Sequence, residues 1–302
     1  MIVRRALPID NDRILELMSS AGRTIIQMPW GELGRLVPGA REPEPNDLFL
    51  GEDGGRLLCV WGSAVESETV AHIRLFGVRD DWCLNQGLVV LLTAIQESLY
   101  ERGARTLAFV GLEGWFLDVL LTNGFRRVNT VVTMQKGDFA IPDAGHEHVV
   151  VRSAVHHDFP AILAIEEAAF DPLWRNTIDG LAHYRAASAY LVVAQLADLV
   201  VGYTIGSLVG RHAHLTRIAV CPTHQGQRIG VRLLAEAIRF FREQSVFGIT
   251  LNTQQDNAKA RRLYRWFGFR ALGREADVLV RDLDVWLAHS TLARPVKVKY
   301  NE

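Results

Sequence analysis

The sequence predicts a mixed α/β (α+β) fold that occurs twice in one chain, each copy a mixed, mostly antiparallel sheet flanked by helices. Three observations predict it. Segments recur at an offset of about 145 residues, which is domain-sized and far longer than a solenoid repeat. Each copy reads strand, one or two helices, three strands, long helix, strand, helix and then two strands, an order that suits a mixed sheet with helices on both faces. With 302 residues, 49% of them hydrophobic, the chain has enough material for two ordinary cores.

The repeat is visible residue by residue. Ile2-Val3-Arg4-Arg5 followed by Ile14-Leu15-Glu16-Leu17 answers to Val150-Val151-Arg152-Ser153 followed by Ile162-Leu163-Ala164-Ile165. Thr122-Asn123-Gly124-Phe125-Arg126 answers to Trp266-Phe267-Gly268-Phe269-Arg270. In the second copy, periodicity and punctuation place a strand at 149–152, helices at 157–170 and 178–187, and strands at 190–197, 199–209 and 214–220. A helix at 230–244, a strand at 248–253, a helix at 257–266 and strands near 269–274 and 278–284 complete it. The seam is expected at 136–147, where Gly137, Pro142, Asp143 and Gly145 interrupt the apolar pattern. This gives domains at 1–140 and 148–285. A tail at 286–302 is solvent-tolerant and is left open between closing over the other domain and pairing with a second copy in a homodimer.

Composition narrows the function. A net charge of -1 gives no electrostatic reason to expect nucleic acid or a membrane surface as partner. No apolar run approaches membrane-spanning length, and Met1-Ile2-Val3-Arg4-Arg5 leads into an amphipathic helix instead of a signal-peptide core, so a cytoplasmic protein is expected. Cys59, Cys83 and Cys221 lie far apart with no C-x-x-C, which argues against a disulfide framework and a metal site and for buried free thiols.

The chemistry concentrates in Ala219-Val220-Cys221-Pro222-Thr223-His224-Gln225-Gly226-Gln227-Arg228-Ile229-Gly230-Val231. An apolar strand runs through a proline into a polar loop with two glycines and then into a long helix whose first turn lies at about Gly230. Amides at a helix start lack intrahelical partners and carry partial positive charge, so such an end binds phosphate. Glycines let the main chain approach an anion closely. Gln225 and Arg228 add side-chain donors at the rim. Strand, glycine turn and helix also recur as a plain structural connection, and the loop alone does not separate the two readings.

A second motif lies downstream: Asn252-Thr253-Gln254-Gln255-Asp256-Asn257-Ala258-Lys259-Ala260-Arg261-Arg262-Leu263-Tyr264-Arg265-Trp266-Phe267-Gly268-Phe269. It reads as strand end, a helix capped by Asp256 or Asn257, and a glycine exit. Asn257 and Tyr264 lie seven apart and so share one helix face. Together the motifs resemble the Q/R-x-x-G-x-G/A loop and the N-x-x-A-R-x-L-Y-x-x-x-G-F segment of the GNAT superfamily of acyl-coenzyme A-dependent N-acyltransferases. Arg228 departs from the glycine usual at its place, either to reinforce a phosphate contact or to point into solvent.

The resemblance implies an enzyme that moves an acetyl group from acetyl-CoA (coenzyme A) to a primary amine of a small molecule or peptide, by direct transfer in a ternary complex. The pyrophosphate would rest on Gln225, Gly226, Gln227, Arg228, Ile229, Gly230 and Val231. The pantetheine arm would bond the strand edge at Ile218, Ala219 and Val220, beside a face carrying Asn257, Ala260 and Tyr264. Tyr264 would be the general acid at sulfur. His214, with His212 two residues earlier on the same side, stands where histone-acetylating members carry a glutamate base; a neutral imidazole accepts a proton near pH 7. The bland alternatives are a half-buried tyrosine and two exposed strand-start histidines.

Substrate choice in such proteins lies in the region that here reads Glu166-Glu167-Ala168-Ala169-Phe170-Asp171-Pro172-Leu173-Trp174-Arg175, faintly similar to ribosomal-protein N-terminal acetyltransferases. Glu166 and Glu167 either attract an ammonium group or form a solvated helix face. The first copy reads Arg79-Asp80-Asp81-Trp82-Cys83 where a phosphate needs amides, and carboxylates at a helix start would repel it. It is therefore read as a degenerate copy, in a tandem layout that resembles mycothiol synthases. A non-catalytic acyl-CoA sensor or interaction module is the alternative from another class.

Overall fold

The computed structural model describes residues 1–27, 47–67, 69–80, 84–187 and 189–284. It divides into two compact units, Met1–Val128 with Leu279–Glu302, and Asn129–Val278. The described elements are β1 (Ile2–Arg5), α1 (Asn11–Ser20), β2 (Arg23–Ile26), β3 (Asp47–Asp53), β4 (Arg56–Val65), β5 (Val70–Val78), α2 (Leu84–Glu101), β6 (Thr106–Gly111), α3 (Gly114–Thr122) and β7 (Arg126–Lys136). They continue with β8 (Val150–Ser153), α4 (Phe159–Ala169), α5 (Ile178–Ala187), β9 (Tyr190–Leu196), β10 (Leu199–Val209), β11 (His212–Val220), α6 (Ile229–Glu243), β12 (Ile249–Gln254), α7 (Ala258–Trp266) and β13 (Arg270–Asp282).

In the first unit the strands run β1-β3-β4-β5-β6, antiparallel except for the parallel pair β5 and β6. In the second they run β8-β9-β10-β11-β12 with residues 131–136 of β7 added antiparallel to β12; β11 and β12 are the parallel pair. Residues 129–136 therefore run with the second unit and residues 279–282 with the first. The chain passes between units inside strands, and the segment 136–147 expected as a seam lies wholly within the second. The two strands expected at 269–274 and 278–284 form one strand, β13. Gly273 takes φ +71 within it, a conformation that glycine adopts without a Cβ penalty.

The repeat extends to side-chain detail. In the first unit Arg4 donates from both terminal nitrogens to Asp10 at 2.7 Å, and the Leu7 amide donates to the same carboxylate at 2.8 Å. In the second Arg152 clamps Asp158 at 2.7 and 2.8 Å, and the Val155 amide completes the set at 2.8 Å. Each aspartate closes the turn that leads from the first strand into the first helix.

Both units also bend the strand that precedes the long helix. On β11 the register against β10 shifts at Ile205/Gly206, which face Arg217 and Leu215 and leave Thr216 as the extra residue. On β5 the register against β4 shifts at Gly62/Ser63, which face Leu75 and Ile73 and leave Arg74 extra. A bulge raises local twist and turns a strand away from its neighbour. Accordingly β11 stays paired with β12 only over residues 213–215, and β5 with β6 only over 70–72. Past the bulge the two units part company. In the first, β2 takes the edge of β5, pairing Ile26 with Leu75 and Arg23 with Val78. Gln27 extends this, its amide donating to the Arg74 carbonyl at 2.8 Å and its Nε2 to Val110 at 2.5 Å.

The second unit's core is built by α6 on the sheet. Ile229, Leu233, Leu234, Ala237, Ile238 and Phe241 recur at helical spacing and are buried. On the other face Glu236 pairs with Arg232 at 3.0 Å and Arg239 at 2.6 Å. A Cβ on Gly206 of β10 would lie 2.5 Å from the Phe241 ring, so only glycine lets α6 settle that closely.

No described helix is long and apolar enough to cross a membrane, and no group of metal-ligating side chains occurs among the described residues. Cys59 is buried, whereas Cys221 is partly exposed, so the expectation of buried thiols holds for the first and not the second. Cys83, most of the Asp80-to-Cys83 loop and the tail 286–302 lie outside the described residues.

Candidate active site

Beyond Leu215, β11 and β12 part, and a pocket of about 220 Å³ opens in the gap. Arg217 and Ile218 line it from β11, Asn252 and Gln254 from β12, and Asn257, Ala260 and Tyr264 from α7. Phe170, Trp174 and Tyr184 supply an aromatic wall from the α4–α5 segment. Asn257 fixes the start of α7: its Oδ1 accepts from the Ala260 amide at 3.0 Å, a side-chain cap on an otherwise unpaired donor. That cap points the face bearing Ala260 and Tyr264 at the gap.

The extra residue at Thr216 changes which way β11 presents its side chains. Ala213 and Leu215 pack beneath α6, and Ile218 and Val220 pack with the same cluster, while Ala219 joins Phe159 and Ile162 of α4. His214 and Arg217, three residues apart, thereby share the α4 face. The main chain obeys the same logic. Cys221 donates its amide to Val201 at 2.9 Å, so the alternation of an antiparallel ladder turns Ile218 and Val220 toward the gap. Ala219, paired with Tyr203, turns the other way and offers the gap no backbone group.

The loop before α6 presents amides in number. Among the described residues, none of the N–H groups of Gly226, Gln227, Arg228, Ile229, Gly230 and Val231 has an acceptor; the first helix bond runs from Arg232 to the Arg228 carbonyl at 3.1 Å. No side chain caps the helix. Gly226 takes φ +81, and a Cβ there would meet nothing within 4 Å. The expected side-chain donors are engaged elsewhere. Gln225 donates to the Val220 carbonyl at 3.3 Å, and Arg228, itself left-handed at φ 63, pairs with Asp143. Neither alternative foreseen for Arg228 describes it. Its pairing holds Asp143 below the usual carboxylate range, helped by a hydrogen bond from the Gly145 amide.

Tyr264 is 8% exposed, and burial pushes its phenol up to about 12 against the opposing effect of Arg217. It stays protonated through neutral pH. His214 lies outside the pocket lining. Its Nδ1 is 2.9 Å from the Thr250 hydroxyl, whose own proton goes to the Ala213 carbonyl at 3.1 Å. With the Thr250 proton on the Ala213 carbonyl, Nδ1 carries the ring proton and Nε2 keeps the free lone pair. Burial lowers the His214 pKa below the ordinary imidazole value, so the ring is neutral at pH 7. His212 is exposed, its ring 5.9 Å from that of Phe247.

Arg217 is the residue that sequence reasoning missed. Its guanidinium donates to the Trp174 carbonyl at 2.5 Å, lies 4.2 Å from the centre of the Phe170 ring and faces Glu166 at 3.3 Å. With its oxygen turned to the guanidinium, the Asn176 amide accepts at 3.1 and 3.2 Å. Glu166 is only 1% exposed; it accepts from the Asn176 amide at 2.7 Å and from the Tyr203 hydroxyl. Burial raises its pKa, and Arg217 opposes the rise. Glu166 is therefore neither a solvated helix face nor a free trap for ammonium; it orders Arg217 and the aromatic wall. Glu167 is exposed. The available signal for Arg217 was a lone cation in the apolar run from Leu215 to Val220.

Residues 153–269 match the Acetyltransferase (GNAT) family. A Bacillus subtilis (strain 168) protein, provisionally named an alanine N-acetyltransferase of ribosomal protein bS18, is 29% identical over 126 residues, 41% of this chain and 82% of that protein. Among solved structures, a GCN5-related N-acetyltransferase from Sphaerobacter thermophilus aligns over 93% of this chain and 95% of its own, with TM-score 0.61 and 18% identity. A tandem GNAT protein from the clavulanic acid biosynthesis pathway aligns over 93% and 98%, with TM-score 0.59 and 15% identity. At those identities the likeness is one of fold, and it runs through both units.

Proposed function

We propose that this chain, whose residues 153–269 form a GNAT-family acetyltransferase domain, moves the acetyl group of acetyl-CoA to a primary amine of a small molecule or peptide. Transfer is direct, with both substrates held in the second unit. The observation that carries the reading is the run of six amides at 226–231 with no acceptor among the described residues, at one end of a strand edge whose other end opens on Tyr264. Converging amides at a helix start bind an anion as bulky as a diphosphate, and Gly226 leaves the space for it.

From that anchor the gap leads along the Ile218 edge, whose free N–H and C=O suit the amide groups of a pantetheine arm. Val220 takes the same part once Gln225 releases its carbonyl. The thioester then lies against α7. There the Tyr264 phenol, protonated at neutral pH, gives its proton to the departing sulfur. The attacking nitrogen must first become a neutral amine. His214, neutral and presenting Nε2 on the α4 face, receives that proton by way of water.

The first unit lacks the same capacity for a physical reason: β2 already fills the edge of β5 that corresponds to the open edge of β11. This supports reading it as a degenerate copy kept for packing.

The test is Tyr264→Phe, assayed with acetyl-CoA and a panel of amines by release of free thiol. Turnover is expected to fall by about a hundredfold or more with acetyl-CoA affinity nearly unchanged. Equal turnover in the variant would remove Tyr264 from the reaction. Thiol release without any acylated amine would favour a sensor instead.

A further inference from the structure

The first unit holds a cavity of about 350 Å³, lined by Leu92, Thr93 and Gln96 of α2, by Asn123 and Gly124 after α3, and by Arg281 of β13. Two of its polar groups are unmatched. Gln96 is fully buried, yet neither its Oε1 nor its Nε2 has a partner among the described residues. Arg281 gives one N–H to the Asn123 carbonyl at the end of α3 and meets no carboxylate among the described residues. The other polar side chains have donors already engaged: the Thr93 hydroxyl donates to Val89 at 3.0 Å and the Asn123 amide to Val119 at 2.8 Å.

Arg281 is half-buried without a counter-ion among the described residues, and a fully buried primary amide with nothing to bond is costly. Burial already depresses the Arg281 pKa. One ligand satisfies both groups. A carboxylate accepts from the remaining Arg281 N–H groups and from Gln96 Nε2, while a hydroxyl or amino group beside the carboxylate donates to Gln96 Oε1. Leu92, with Val89 half-exposed at the edge, accommodates a short aliphatic part.

We infer that this cavity binds a small organic carboxylate bearing a hydroxyl or amino group on the adjacent carbon. The site is separate from the acetyl-transfer pocket and draws on none of its residues.

The test is saturation-transfer NMR on the full chain with L-lactate and L-alanine as probes and propionate as the donor-free control. Lactate or alanine is expected to bind, with propionate about tenfold weaker for want of one hydrogen bond. Arg281→Gln is expected to weaken binding by about tenfold to a hundredfold, the range for a charge-assisted contact. Gln96→Leu is expected to abolish binding while the protein keeps its fold and its acetyl transfer, so the test survives if Arg281→Gln does not fold. Two results would overturn the site: no transfer to either probe, or binding that persists in Gln96→Leu. A melting temperature raised by Gln96→Leu in a protein that binds neither probe would mark the cavity as a packing defect.

Discussion

Gly226→Ala isolates the loop's contribution to binding. At φ +81 an alanine is strained by about 1–2 kcal/mol, and the stiffer unfolded chain returns about 0.4–1 kcal/mol of that. Because the new Cβ meets nothing within 4 Å, no clash adds to the cost. The net loss of stability is about 1 kcal/mol, a fall in melting temperature of about 2–4 °C for a unit of this size. In the proposed complex, however, the methyl would stand where the diphosphate approaches the backbone. Losing one charge-assisted hydrogen bond costs about 1.5–3 kcal/mol, or roughly a tenfold to hundredfold rise in Kd. The assay is calorimetric titration with acetyl-CoA beside thermal unfolding without it. Gly210→Ala is the control, since Gly210 takes φ +58 in the β10–β11 turn and its Cβ would also meet nothing. It should lose similar stability and no affinity. Wild-type affinity in Gly226→Ala, or an equal loss in Gly210→Ala, would refute the reasoning.

Two further outcomes concern titrating groups. His214→Gln should flatten the acid limb of kcat/KM, and in the wild type that limb should lie below the ordinary histidine range because burial lowers the His214 pKa; a pH–rate profile unchanged by the substitution would exclude the imidazole as proton acceptor. Asp158→Asn should cost about 1–2 kcal/mol at neutral pH, discounted for the 36% of the Arg152 side chain left in water. The Arg152 hydrogen bonds hold the Asp158 pKa below the ordinary value. That stability is therefore present above the unfolded-state pKa and is lost as pH falls through the folded one. Denaturant midpoints of the two proteins should converge in acid, and a constant difference down to low pH would contradict this.

Much of this site was legible because its signals are local. Asn257, Ala260 and Tyr264 sit on one short helix whose cap and glycine exit are written within a dozen residues, and the structure brings them with Ile218 around one pocket. The phosphate-type loop was equally plain, although the side chains of Gln225 and Arg228 are engaged by Val220 and Asp143 and leave only the main chain of 226–231 to it. What could not be read depends on distant partners. Arg217 faces the pocket only because Thr216 is an extra residue against β10, a register that no window of β11 reveals. Glu166 looks like a solvated helix position until Tyr203 and Arg217, on two strands, close around it. Arg23-Thr24-Ile25-Ile26 reads as an ordinary strand, and that it takes the edge of β5 is a matter of long-range pairing. The same holds for 129–136, whose place beside β12 rests on pairs more than a hundred residues apart in sequence.

The proposal that main-chain hydrogens of the second unit hold the diphosphate of acetyl-CoA is tested most directly by backbone amide resonances, with coenzyme A titrated into labelled protein. The largest shifts are expected at Gly226, Gln227 and Gly230, with smaller ones at Ile218 and Val220. Shifts centred on residues 75–78 of the first unit, or none at 226–231, would contradict it.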